Sequence, residues 1–158
     1  MRSVRGIALL GVLLAPLLVT ARASQSSAYV PRNDPAKIQR VVDELLERLD
    51  IPHAVTVHIV AVNPLLASVE PNADRPGAFQ LFLEDTFVDE LDNDELHAVV
   101  AHELGHVWVF THHPFLQTEQ LANQVAMRVV SRDILQRVYT KVWAHSGSKG
   151  DFVHFLGN

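Results

Sequence analysis

The sequence predicts an α+β domain with a small mixed sheet, and three observations carry that expectation. A 3.6-residue apolar stripe lies near the start, short alternating apolar segments occupy the middle, and helical patterning fills most of the second half. A chain of 158 residues suits a single domain of this kind. Its 48% apolar and 20% charged residues are the balance of a globular protein rather than of a disordered chain.

The first residues stand apart from that domain. Arg2 and Arg5 precede an apolar run from Gly6 to Val19, and Ala21-Arg22-Ala23 places small residues at the two cleavage-site positions. This is the pattern of a secretory signal peptide over residues 1–23. The alternative, an uncleaved anchor, fits less well, because the run is short of the roughly 20 residues a bilayer needs and Pro16 interrupts it. Ser24 to Asn33 is polar and reads as a tether, leaving 34–158 as the folded domain. The predicted location is outside the cytoplasm, in a bacterial periplasm or the medium.

Cleavage after Ala23 removes three arginines and no acid, leaving ten basic against eighteen acidic residues. Such a balance argues against nucleic acid or anionic lipid as the main partner. The chain has no cysteine, so disulfides and lipid attachment through a cysteine are both excluded.

The elements follow in order. Asp34-Pro35 supplies a capping side chain and a proline at the first helical position, and Ile38, Val41, Val42, Leu45, Leu46 and Leu49 form one stripe that ends before Pro52. Val55–Val62 alternates as a strand. A short strand is expected at Leu66–Val69 and a stronger one at Ala78–Leu83, separated by the turn-forming stretch from Pro71 to Gly77. Phe87, Val88 and Leu91 suggest a brief helix. Asp92 with Glu95 three residues on has capping-box spacing and opens a long helix, Asp94–Phe110. A last helix is expected over Thr118–Trp143, with Leu121, Val125, Val129 and Leu135 among its apolar positions and Met127 inside it. The glycine-bearing tail from Ser146 reads as loose.

The long helix carries His102-Glu103-Leu104-Gly105-His106. Residues four apart share a helix face, so both imidazoles can aim at one metal ion while Glu103 projects beside it. That is the two-histidine zinc site with a glutamate general base. Zinc held by three protein ligands keeps a place for a water and lowers its pKa to about 7. The residues on either side, Val99-Val100-Ala101 and Val107-Trp108, are uncharged, as a buried active-site helix requires. Gly105 costs the helix about 1 kcal/mol relative to alanine and so marks a close approach.

Two residues compete as third ligand. His112 has the spacing used by metzincins, but that pattern puts a glycine where Val109 stands, at a sharp turn valine suits poorly. Neither Met1 nor Met127 suits the methionine turn of that class. Glu119, at the start of the next helical segment, would complete a two-histidine, one-glutamate site. Asn123, one turn further on, is placed to accept a hydrogen bond from a ligand histidine and fix its tautomer. Ala122 would allow the two helices to approach closely.

From Asp94 to His106 the sequence resembles the active-site helix of the gluzincins that include HtpX and the CAAX prenyl proteases, in the size range of the minimal members, the minigluzincins. Pro71-Asn72-Ala73 is similar to that family's approach to its substrate-binding strand. Glu119-Gln120-Leu121-Ala122-Asn123 is similar to its third-ligand motif, Glu-x-x-Ala-Asp, with asparagine in the last place. The resemblance implies a zincin-like zinc metallopeptidase with ligands His102, His106 and Glu119, one zinc ion, base Glu103, and a protein or peptide substrate. It also implies that the tail, Gly150 to Phe155, could lie in the cleft and hold the enzyme latent.

The rival expectation is a weak or inactive zinc-binding module that binds a protein partner in the cell envelope. Ala78–Leu83 is read either as an edge strand that pairs with substrate or as a plain core strand. Tyr139, His145 and His154 are equal candidates for an oxyanion donor. His112 and His113 suit the negative end of the helix dipole, and His53, His58 and His97 read as structural or surface residues.

Overall fold

Pro35–Arg48 forms the first helix, α1, of the computed structural model, which describes residues 33–157 except 117 and 149. The expected signal peptide and all but Asn33 of the tether lie outside the described residues. Asp34 caps α1, its side chain accepting from the Ala36 amide at 3.0 Å. The stripe buries Ile38, Val41, Val42 and Leu45.

Three strands follow: β1 (Val55–Val60), β2 (Ala67–Pro71) and β3 (Phe79–Glu84). The sheet order is β1-β3-β2, with β1 parallel and β2 antiparallel to β3. It is therefore a mixed sheet, and β3 is its central strand. The edge-strand reading of Ala78–Leu83 is corrected: β3 is paired on both sides, and β1 and β2 are the edge strands, β2 being the one that borders the cleft. Pro71, which lacks an N–H to donate, sits in that edge strand, where proline is tolerated.

A short helix, α2 (Asp85–Glu90), leads into α3 (Asn93–His112). The capping box forms as the spacing predicts, with Glu95 N–H donating to Asp92 at 2.8 Å and Asp92 N–H donating to Glu95 at 2.9 Å. The Glu95 carboxylate, buried, also takes Lys141 Nζ at 2.6 Å, which ties the start of α3 to a later helix.

The single last helix expected from the sequence is two. α4 (Glu119–Ala126) ends at Met127, and α5 (Arg132–Ser146) starts afresh with Ser131 as its cap. The β-branched pair Val129-Val130 lies in the break, and the Val129 carbonyl accepts from Arg48 at 3.1 Å. The break lets α4 cross α3 while α5 turns back along it. The segment expected to be loose carries α6 (Phe152–Leu156), with Leu156 buried. Arg132 donates to the Leu156 and Gly157 carbonyls at 3.0 and 2.6 Å, and that pairing orders the tail. Among the described residues no helix is long and apolar enough to cross a membrane.

Candidate metal centre and active site

The crossing of α3 and α4 builds the site. Gly105 faces Ala122, and a Cβ at position 105 would collide with the Ala122 carbonyl. The two backbones meet only because one residue has no side chain and the other a small one. That contact carries the first turn of α4, with Glu119, over the histidine face of α3.

His102 Nε2 and His106 Nε2 lie 3.2 Å apart. Glu119 closes the triangle, with Oε2 3.1 Å from His102 Nε2 and Oε1 3.5 Å from His106 Nε2. A tetrahedral ion with ligand bonds of about 2.0–2.1 Å spaces its ligands about 3.3 Å apart, so the three donors stand where a zinc ion would have them. His112 is elsewhere: exposed, stacked on Trp108 at a ring separation of 4.2 Å and hydrogen-bonded to the Trp108 carbonyl at 2.9 Å.

Asn123 is fully buried and organises the layer behind the donors. Its Nδ2 donates to the Tyr139 hydroxyl at 2.7 Å and to the Phe155 carbonyl at 2.9 Å. Its Oδ1 is left to accept from His102 Nδ1 at 2.9 Å. The proton of neutral His102 therefore sits on Nδ1, and Nε2 turns a lone pair toward His106 and Glu119. Lone pairs and a carboxylate converging on one point suit a bound cation, so the residues fit a metal ion. Burial opposes a charge on His102, yet its bond to Glu119 and the nearby carboxylates raise its pKa. Glu119 is lowered well below the usual carboxylate range by its bonds to His102 and His106.

Glu103 is only 6% exposed. Its carboxyl makes no hydrogen bond among the described residues and borders the cleft. Burial pushes its pKa up against the opposing pull of the two histidines; a bound dication would act in the opposite sense.

The cleft, about 620 Å³, runs between β2 and the helices. Ala67, Ser68 and Val69 of β2 form one wall. Val99, Leu135, Val138, Val142 and Trp143 line an apolar side. Of the three expected oxyanion donors only Tyr139 borders the cleft. Its hydroxyl donates to Glu119 Oε2 at 3.3 Å, and burial holds its pKa above the usual phenol range. His145 instead pairs with Glu90 at 3.0 Å, and His154 is exposed. Phe155 of α6 also reaches the cleft wall.

Trp143 was not expected in the cleft, whereas Phe155 belongs to the tail that was expected there. No periodic signal marks them, because chain reversals after Ala126 and Ser146 place them there.

Two histidines one turn apart, a buried glutamate beside them and an acid from a crossing helix are the equipment of a metal-dependent hydrolase. The chain belongs to peptidase family M48, whose family model matches residues 32–156. It is a metallopeptidase, and its substrates are proteins or peptides. Two solved structures share the fold. The metallopeptidase zymogen of Methanocaldococcus jannaschii jannalysin is 19% identical, with a TM-score of 0.50, and the match covers 69% of this chain and 96% of that one. The metallopeptidase zymogen of Pyrococcus abyssi abylysin is 13% identical, also with a TM-score of 0.50, over 72% of this chain and 99% of that one. No curated protein matches the chain. Family and fold together bear out the resemblance to the minimal gluzincins.

Proposed function

We propose that the chain is an exported endopeptidase that holds one zinc ion through His102, His106 and Glu119 and uses Glu103 as its general base. The observation that carries this reading is the convergence of His102 Nε2, His106 Nε2 and the two Glu119 carboxylate oxygens, with separations of 3.1 to 3.5 Å, beside a buried carboxylate that opens on the cleft.

Zinc, when bound, supplies Lewis acidity to the substrate carbonyl and to a water beside it. Glu103 removes that water's proton as the oxygen attacks the carbonyl carbon, then passes the proton to the leaving nitrogen as the C–N bond breaks. Asn123 keeps His102 in the tautomer that presents Nε2.

The edge of β2 supports an endopeptidase. In its antiparallel pairing with β3, Leu66 O accepts from Glu84 N and Asn72 N donates to Ala78 O, both at 2.8 Å. The even-numbered residues therefore bond to β3, and Ala67 and Val69 turn their N–H and C=O groups to the free edge. A peptide laid there as an added strand would be held by backbone bonds on both sides of the bond to be cut.

Export rests on Arg2, Arg5, the Gly6–Val19 run and the small residues before Ser24. N-terminal sequencing of protein recovered outside the cytoplasm tests it, with Ser24 expected as the first residue.

Metal analysis of purified wild type, His112→Ala and Glu119→Ala tests the ligand set. One zinc per chain is expected in the first two and a large loss in the third. Zinc retained by Glu119→Ala but lost by His112→Ala would overturn the assignment.

A further inference from the structure

We infer that the C-terminal helix α6 is a working part of the metal centre: through Asn123, the Phe155 carbonyl sets the tautomer of His102. This rests on His102 being a zinc ligand, as proposed above.

A side-chain amide can face a neighbour with either end, and the partners at the other end decide which. A backbone carbonyl only accepts, so Phe155 O demands the NH₂ group of Asn123. The Tyr139 oxygen takes the second N–H at 2.7 Å while its own proton goes to Glu119. With Nδ2 bonded to two acceptors, Oδ1 is the only end left for His102 Nδ1, and the ring proton must lie there. Without the carbonyl, the amide is free to turn its NH₂ group toward Nδ1. The ring proton would then move to Nε2, the atom that has to bind metal.

Arg132 is the clasp that holds the carbonyl in place. It grips the two carbonyls that follow Phe155, those of Leu156 and Gly157. Asn123 is fully buried and the Phe155 bond is 2.9 Å, so the link is tight. It differs from a tail that blocks the cleft. Releasing a blocking tail raises turnover and leaves metal affinity alone, whereas releasing this one weakens metal binding. By linkage, zinc must in turn hold α6 more firmly by the same factor.

The probe is zinc alone, added to the full-length mature chain. Affinity is read by competition with a chromophoric chelator, and docking of α6 by amide hydrogen exchange over residues 151–157. In wild type, zinc is expected to slow exchange in that segment. Arg132→Gln is expected to speed it and to weaken zinc binding about tenfold, the scale of losing a group that orients a metal-binding histidine. Asn123→Asp is the discriminating variant. A carboxylate accepts from Nδ1 whichever oxygen faces it and cannot donate to Phe155 O. In that background zinc should still bind, exchange of 151–157 should not respond to it, and adding Arg132→Gln should leave affinity within about twofold.

The inference is overturned if zinc leaves exchange of 151–157 unchanged in wild type. It is equally overturned if Arg132→Gln loosens α6 and zinc affinity stays at the wild-type value. A wild type that takes up no zinc would bring down the ligand assignment itself, and the coupling with it.

Discussion

Gly105 of α3 and Ala122 of α4 are the point at which these two helices touch, backbone against backbone, with no room for a Cβ on the first. The position of Glu119 over the two histidines depends on this contact. Gly105→Ala gains about 1 kcal/mol in helix propensity but meets a main-chain carbonyl that cannot turn aside, and overpacking typically costs 1–3 kcal/mol. The metal-free protein is expected to lose about 1 kcal/mol net, and zinc affinity to fall because α4 must shift. Denaturant unfolding without metal, paired with chelator competition, checks both; an unchanged affinity would mean that the crossing does not position Glu119.

The Glu95–Lys141 pair gives a pH dependence away from the metal ligands. Burial alone would raise the Glu95 pKa, but the Lys141 ammonium and the Asp92 amide more than offset it and hold it below the ordinary glutamate value. A lowered folded-state pKa contributes stability above about 4.5 that is lost as pH falls through the folded value. Lys141→Met leaves Glu95 buried with the Asp92 amide at 2.9 Å and one cation, Arg137, at 3.5 Å among the described residues. The expected cost is about 3 kcal/mol at neutral pH, shrinking as acid protonates Glu95. Urea unfolding at pH 7 and pH 3.5 tests this, and a cost that grows on acidification would refute it.

Substrate pairing on β2 predicts a particular response at Val69, whose N–H faces the free edge. Val69→Pro removes that donor at a place where an edge strand tolerates proline. Val69→Ala keeps the donor and trims the side chain. Peptide cleavage by the proline variant is expected to fall at least tenfold below that of the alanine variant, since one charge-free hydrogen bond is worth about 0.5–1.5 kcal/mol and an obstructed edge adds to it. Equal kcat/KM values would place the substrate elsewhere.

Much of this was legible in the residues because it is local. Asp34-Pro35 and the Asp92/Glu95 pair announce their helices within one turn, and His102, Glu103 and His106 share a turn of α3. Glu119 and Asn123 were reachable because each lies one α4 turn from the other. The break in the last helix was marked only faintly. Leu121, Val125 and Val129 keep a four-residue step, but Leu135 follows six residues later, out of phase with that face, and Ser131 is a good cap. The strand order is non-local, since nothing within Ala78–Leu83 states that β1 and β2 will flank it. Pro71 was the available clue, as proline belongs at an edge. The role of Phe155 had no sequence signal, because it acts through a backbone carbonyl that every residue has.

Glu103 is proposed to perform proton transfer beside a metal held by other residues. Replacing it with glutamine, then measuring zinc per chain and cleavage of an unstructured protein or peptide in the same preparation, tests that most directly. The glutamine variant is expected to retain one zinc and to lose about 10²–10⁴ in kcat. A zinc-loaded Glu103→Gln protein that cleaves as fast as wild type would contradict that role.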